Sequence, residues 1–372
     1  MKYRLSDICH YVKGKVDVSE LDNSTYISTE NMLPDKGGVT EAASLPTTLQ
    51  TQIYEKDDVL VSNIRPYFKK IWFADQNGGC SNDVLVFRAN EGVEPGFLYY
   101  VLADDKFFDF SMATSKGTKM PRGDKKALME YEVLDFNIDT QKKVASLLGD
   151  IDEKIRVNTE INDNLEQQAK AIYQQMFIDN PDSNWAAGTL SDIANITMGQ
   201  SPSGSSYNED GNGTIFFQGR AEFGFRFPSV RLFTTEPKRM ACENDTLMSV
   251  RAPVGDLNVA HRYCCIGRGL AAIHSKNNHQ SFVHYTMVSL KKQLDVFNRE
   301  GTVFGSINRN ALNAMPILIP SDEKLDKFES IVAPMDTTIR NNYDEICRLE
   351  KIRDSLLPKL ISGEVDVSAI DL

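Results

Sequence analysis

No apolar run in these 372 residues approaches the roughly 20 that a membrane-spanning helix requires. The opening Met1-Lys2-Tyr3-Arg4-Leu5 also lacks the apolar stretch of a secretory signal. A cytoplasmic protein with no membrane partner is expected. Cysteine is sparse and dispersed: Cys9, Cys80, Cys242, Cys264, Cys265 and Cys347 contain no CxxC pair, so neither a zinc site nor a disulfide framework is expected. Catalytic strings are missing too. Gly117-Thr118-Lys119-Met120-Pro121-Arg122-Gly123-Asp124 fails the GxxxxGK[ST] spacing of a phosphate loop. Asn180-Pro181-Asp182-Ser183 lacks the second proline and the aromatic of an adenine methyltransferase motif, and no nucleophile elbow occurs. Of the histidines His10, His261, His274, His279 and His284, the last three stand five residues apart and do not share a helix face. No catalytic residue, metal or cofactor is expected on the chain.

An excess of positive charge is absent as well. The net charge is −11, whereas gripping phosphates by bulk electrostatics needs a basic surface. The charge is uneven: residues 185–320 hold 13 Lys+Arg against 10 Asp+Glu, or +3, and residues 321–372 hold 7 against 12, or −5. A composition of 41% hydrophobic and 25% charged residues suits ordinary globular cores, and the length favours two or three domains.

What the chain does contain is a repeat. Leu5-Ser6-Asp7-Ile8 returns as Leu190-Ser191-Asp192-Ile193, and Asp58-Val59-Leu60-Val61-Ser62 as Asp245-Thr246-Leu247-Met248-Ser249. Arg65-Pro66 matches Arg251-Ala252-Pro253, Gly117-Thr118 matches Gly301-Thr302, and Leu128 matches Leu312, at spacings of 184 to 187 residues. The most regular part is helical. Alternating steps of three and four residues give an apolar seam of Val144, Leu148, Ile151, Ile155, Asn158, Asn162, Leu165, Ala169, Ile172 and Met176. Its second copy, offset by 184, reads Phe328, Val332, Met335, Ile339, Asn342, Ile346, Leu349, Arg353, Leu356 and Leu360.

Asparagine in such a seam costs stability but fixes register, so Asn158 and Asn342 are expected to meet across a helix pair, unless each helix only packs on its own globular stretch. About 35 residues at 1.5 Å each make a rod of roughly 50 Å, the length of a spacer. Pro181 with the polar stretch 180–184 should end the first helix, and Pro358 with Gly363 the second.

The globular stretches alternate apolar residues at strand period, as in Asp83-Val84-Leu85-Val86-Phe87 and Thr214-Ile215-Phe216-Phe217, with helix-compatible segments at 97–103 and 282–290. A mixed α+β chain follows, divided into a first domain at 1–139, a helix at 140–180, a second domain at 181–320 and a helix with tail at 321–372. Turn-rich segments mix cations and amides with aromatics, the residue types that read base edges and phosphates. In the first domain these are Arg65, Tyr67, Lys69, Lys70, Lys116, Lys119 and Arg122; in the second, Gln218, Arg220, Arg226, Arg231, Arg251, Asn308 and Arg309. Any single cationic run can equally be a solvated face, but these recur at matching positions of both copies. Two recognition modules on a rigid spacer would read two short DNA segments a fixed distance apart.

The layout, together with Leu190-Ser191-Asp192-Ile193 leading into Gly199-Gln200-Ser201-Pro202-Ser203-Gly204, Phe217-Gln218-Gly219 and the tail Leu356-Leu357-Pro358-Lys359-Leu360-Ile361-Ser362-Gly363-Glu364-Val365, resembles the specificity subunits of type I restriction-modification systems over essentially the whole chain. The first domain departs from this pattern, with Lys13-Gly14-Lys15-Val16-Asp17 where the Gly-Gln-Ser-Pro-Ser-Gly string would stand.

The resemblance implies two target-recognition domains and an antiparallel coiled coil of two helices with pseudo-twofold internal symmetry. It also implies a non-catalytic role on double-stranded DNA, with two methylation subunits that bind S-adenosylmethionine and restriction subunits that use ATP and Mg²⁺. The alternatives are a protein-binding coiled-coil scaffold and the recognition module of a differently organised methyltransferase. If the helices act as a ruler, inserting four residues near Asn158 changes the gap between the two recognised segments and leaves both segments unaltered. Mapping of methylated sites checks this, and an unchanged gap counts against the ruler.

Overall fold

The repeated Leu-Ser-Asp-Ile strings fold into the same one-turn helix, Leu5–Ile8 and Leu190–Ile193, in the computed structural model, which describes residues 2–117, 119–298 and 305–367. In both, the aspartate at the third helical position turns back to accept the backbone N–H that precedes the helix. Arg4 N donates to Asp7 Oδ2 at 2.8 Å, and Thr189 N to Asp192 Oδ2 at 2.7 Å. This ties down a donor that the helix itself leaves without a partner. Of the repeated positions noted above, Thr118, Gly301 and Thr302 lie outside the described residues.

The chain divides into two units, Met1–Val157 with Glu345–Leu372, and Asn158–Asp344. Each unit is built in the same order. In the first, Lys2–Arg4 pairs antiparallel with Glu132–Leu134, and a four-stranded sheet runs Cys9–Tyr11, Val84–Ala89, Val59–Ser62, Ile71–Phe73. A second sheet runs Lys15–Asp17, Gln50–Tyr54, Gly78–Cys80, Tyr26–Ile27, its last pair parallel. In the second unit, Ala186–Thr189 pairs with Pro316–Ile319, and a four-stranded sheet runs Ala194–Met198, Leu270–Ser275, Thr246–Ser249, Leu257–Val259. Its companion sheet has five strands, with Thr214–Phe217 and Cys264–Ile266 parallel. The apolar segments expected to be helical are so, at Pro95–Ala103 and Gln280–Ser289.

Strand periodicity divides each central strand between two cores. Val59 and Val61 face a core with Leu85 and Phe87, while Leu60 faces another with Val84 and Val86. In the second unit Met248 joins Ala271 and Ile273 on one face, and Leu247 joins Leu270 and Ala272 on the other. All four residues of each central strand are buried.

The long helices run Ile138–Tyr173 and Asp322–Ile361, of 36 and 40 residues. Asn137 begins the first by accepting the N–H of Thr140 at 2.8 Å, and a wider π turn at Gln174–Ile178 closes it before Pro181. Pro358 does not end the second helix as expected; it lies inside it. Gly363 ends it, with φ 71 and its N–H on Leu360 O at 3.1 Å, a left-handed cap that glycine adopts without strain.

None of the seam residues is exposed. In the first unit Val144 and Leu148 join Leu357 and Leu360 in the core of the globular stretch. Arg353, an outlier in the apolar seam, donates to Asp152 at 3.0 Å, and Asp152 also accepts from Tyr100 at 2.8 Å. In the second unit Ala169, Phe328 and Val332 share a core with Tyr173 and Phe282. The helices therefore pack both on the globular stretches and on each other, and within each unit their contacts run antiparallel. Asn342 Nδ2 donates to Asn162 Oδ1 at 2.9 Å, one turn beyond Asn158, and Asn162 Nδ2 reaches Ile339 O at 3.4 Å. Asn158 itself is buried, at 2% exposure.

Replacing Asn342 alone by Leu removes the donor to the buried Asn162 Oδ1 and should cost about 1–3 kcal/mol. Replacing both by Leu should recover most of that loss. A double-mutant cycle in urea measures the coupling, and additive single effects would show that the two amides act independently.

Candidate nucleic-acid interface

Because the central strands are buried on both faces, chemistry can emerge only where they end. Beyond Ser62 the chain turns through Asn63 and Ile64 to Arg65, whose φ of 51 places it in the left-handed region, then through the short turn Pro66–Phe68 to Lys69 at φ 49. The other basic segment of this unit closes onto that turn. Lys116 and Arg122 exchange backbone bonds at 2.9 and 3.0 Å, Arg65 N donates to Pro121 O at 2.9 Å, and Ile64 bridges Arg122. Two segments about 50 residues apart in sequence thus form one clasp presenting Arg65, Tyr67, Lys116, Lys119 and Arg122, all exposed.

The second unit repeats the clasp. Beyond Ser249 comes Arg251, which bridges Ser306, while Ala252 N donates to Gly305 O at 2.9 Å and Ile307 N to Val250 O at 3.1 Å. Asn308 then caps the helix Arg309–Asn313 by accepting the N–H of Ala311 at 2.9 Å, leaving Arg309 exposed on its first turn. A groove of about 510 Å³ runs here, lined by Met198, Val250, Arg251, Ala252, Arg268, Gly305, Ser306 and Ile307. Arg268 is exposed and was not among the expected contacts. It stands in the turn Gly267-Arg268-Gly269, against which the Gly199 string folds: Gly199 N bonds Leu270 O at 2.9 Å, and Arg268 N bonds Ser201 Oγ at 3.2 Å. A Cβ on Gly199 would lie 2.1 Å from Gly267 O, so the close approach requires glycine. A cation between two glycines was the signal in the sequence that could have singled it out.

The expected contacts separate by their partners. Lys69 is held by Asp105 at 2.9 Å, a bond that raises its pKa, and Lys70 donates to Thr29 O at 2.6 Å beside the Phe68 ring. Lys116 pairs with Asp124 at 2.6 Å and Arg122 with Asp83 at 3.1 Å. In the second unit Arg220 pairs with Asp256 at 2.7 Å, and Arg231 with Glu222 at 2.7 Å and Glu209 at 3.1 Å. Gln218 is exposed, its backbone packed against Gly267 and Gly269. Among the described residues, the side chains of Arg65, Lys119, Arg251, Arg268 and Arg309 form no ion pair.

Arg226 is a correction. It is 4% exposed, and its guanidinium lies 2.6 Å from Asp336 Oδ1 and 3.5 Å from Glu166 Oε1, stacked over the Tyr285 ring. Burial works against its charge, but Asp336, Tyr285 and Glu166 outweigh it and hold the pKa above its ordinary value. The same burial, aided by Arg226 and Lys170, pushes the His284 imidazole well below its ordinary range. Sequence alone gives an arginine among aromatics the same appearance on a surface as in a core. Arg226 joins its loop to both long helices within this unit and is out of reach of DNA.

Two matches to the family described as the type I restriction modification DNA specificity domain cover residues 1–167 and 182–351. A Methanocaldococcus jannaschii chain assigned to the MjaX type I restriction enzyme as its specificity subunit is 29% identical over 305 residues, 77% of this chain and 72% of that one. The HindI specificity subunit of Haemophilus influenzae is 22% identical over 467 aligned positions, covering 98% and 99% of the two chains. The type I restriction-modification system S subunit from M. genitalium shares the fold, with a TM-score of 0.66 at 18% identity over 99% of this chain and 96% of that one. No described helix is long and apolar enough to cross a membrane.

Truncating Arg226 leaves Asp336 partly buried without its cation, while Glu166 keeps Lys170 at 3.1 Å. Arg226→Ala should therefore lower folding stability by about 3–5 kcal/mol, measured by urea unfolding. A stable variant with altered DNA preference would return Arg226 to the interface.

Proposed function

Since the chain belongs to the type I restriction-modification DNA specificity family and recognises DNA sequence within such a complex, we propose that each unit reads one short segment of a split target from the clasp at the end of its central strand. The observation that carries this reading is the recurrence of one construction, a buried strand ending in an exposed arginine with no ion-pair partner among the described residues and braced by a second basic or polar loop. Guanidinium groups suit the task because their forked donors match the acceptor pair of guanine in the major groove. The clasps differ in detail. Arg268 of the second unit has Asn82 as its counterpart in the first, in the turn before the matching strand, so the two half-targets should differ.

The two long helices, which continue from one unit into the other, set the gap between the half-targets. Most of the expected contacts keep a place in this reading: Arg65, Tyr67, Lys119, Arg251, Asn308 and Arg309 toward the DNA, joined by Arg268, with the ion-paired Lys69, Lys116, Arg122, Arg220 and Arg231 on the flanks. The chain itself carries no chemistry. It works in the cytoplasm on double-stranded DNA, with two methylation subunits supplying S-adenosylmethionine chemistry and restriction subunits supplying the ATP- and Mg²⁺-dependent step.

The deciding experiment is co-expression with the partner methylation subunit, followed by genome-wide mapping of methylated adenines. A motif of two defined halves and a fixed undefined gap is expected. A stable complex that modifies nothing would favour the scaffold reading. On that assay Arg251→Ala should relax one half at a cost of about 1–3 kcal/mol in binding, and Arg65→Ala should relax the other. Equal loss at both halves from either variant would mark a phosphate contact or a folding defect and would overturn the base-reading role.

A further inference from the structure

The opposite end of each central strand carries a matched set of polar groups. In the first unit the turn before the strand holds Asp58, 1% exposed, whose Oδ2 accepts the N–H of Glu55 at 2.7 Å. Arg88 on the neighbouring strand forks onto both Asp58 oxygens at 2.7 and 2.8 Å and reaches Glu55 at 3.1 Å, so one fixed cation serves two carboxylates. The second unit has the same turn. Asp245, 4% exposed, accepts the N–H of Cys242 at 2.8 Å, and Asn244 and Asp57 share a left-handed φ of 71 and 70. Strand register makes His274 the counterpart of Arg88: Val59 pairs with Phe87 and Thr246 with Ile273, and the residue in question follows each. Glu55, Asp58 and Arg88 have thus become Cys242, Asp245 and His274.

The exchange removes the permanent cation and leaves a thiol, a carboxylate and an imidazole whose ligand atoms all lie within 4.8 Å of one another, with His274 Nδ1 2.6 Å from Asp245 Oδ1. We propose that Cys242, Asp245 and His274 bind one divalent transition-metal ion of the zinc class, which takes over the structural role that Arg88 has in the first unit. Thiolate, imidazole and carboxylate are the donors that Zn²⁺ prefers, at bonds of about 2.0–2.3 Å, with water completing the tetrahedron. Small side-chain rotations close the remaining distance, because Cys242 and His274 are both exposed while the buried Asp245 is fixed. Binding releases the Cys242 thiol proton to solvent. The dication fastens the turn to the strand Leu270–Ser275, as the guanidinium does in the other copy. The dispersed cysteines and the histidine spacing gave no sign of this, since the donors converge only through strand pairing.

The test is a Co²⁺ titration of the purified full chain, followed by displacement with Zn²⁺. One Co²⁺ per chain with a thiolate-to-cobalt charge-transfer band is expected, together with a metal-dependent rise in the unfolding midpoint. Cys242→Ala, at an exposed position, should lose the band. His274→Arg, which rebuilds the pairing of Arg88 with Asp58, should bind no metal and unfold at a midpoint indifferent to it. Absence of Co²⁺ binding in the unaltered chain, or a band that persists in Cys242→Ala, overturns the proposal. Should His274→Arg fail to fold, Cys242→Ala still decides.

Discussion

In each unit the central strand is buried on both faces, Val59–Ser62 between two apolar cores and Thr246–Ser249 between two more. A strand in that position has its ladder hydrogen bonds and its side chains committed to packing. It can neither bend to a ligand nor present one along its length. Whatever it contributes must come at its two ends, and the rest of the unit is arranged accordingly. At one end a buried aspartate anchors the incoming turn. At the other the chain leaves the core, reverses tightly, and is clasped by a loop arriving from beyond the helices of the same unit. Under the reading proposed above, rigid delivery of an exposed arginine from a two-faced core would keep the ordering cost of recognition low, because the backbone under the guanidinium is already fixed.

Net negative charge is compatible with this arrangement because of how the cations are distributed. Lys116, Arg122 and Arg220 each face a carboxylate at salt-bridge distance while remaining largely solvent-accessible. Exposed pairs of that kind contribute about 0–1 kcal/mol, so a phosphate can compete for the cation at little cost. The paired acids meanwhile weaken indiscriminate attraction to any duplex. A specificity module gains from that, since its discrimination depends on base contacts exceeding the sequence-independent phosphate contribution. Arg226 shows the other fate of a cation in this chain. Surrounded by Asp336, Glu166 and Tyr285, it organises the interior and takes no part in the surface charge.

Much of the fold was legible because it is written twice. The seam at steps of three and four located both long helices, whose observed starts at Ile138 and Asp322 fall within two residues of the expected ones. The Leu-Ser-Asp-Ile and Asp-Val-Leu strings marked equivalent helices and strands. Periodicity does not report which residues meet across space. It selected Asn158 as the partner for Asn342, whereas the bond from Asn342 runs to Asn162, and it included Arg353 in an apolar seam where pairing with Asp152 and Asp354 makes its presence intelligible. The candidate interface was legible as segments but not as a surface. Nothing in the sequence says that the loop at Arg65 and the loop at 116–122 share backbone bonds, or that Arg268 lines the groove beside Arg251.

Comparison of the two copies supplies what neither copy gives alone. Where both keep a residue, as with the buried aspartates Asp58 and Asp245, the shared feature belongs to the architecture, because it anchors the same turn before the same central strand in each unit. Where they differ at one structural position, the physics of that position constrains the reason. Replacement of Asn82 by Arg268 occurs on an exposed turn beside the clasp, where a change of side chain alters the donors presented at the surface without entering the core. Replacement of Arg88 by His274 is of another kind. It alters the close counter-charge of a carboxylate almost removed from solvent. Such a change puts a hydrogen-bonding imidazole where a fixed cation stood, and the thiol that replaces Glu55 in the same turn is the kind of group that would help to hold a metal ion in place of that charge.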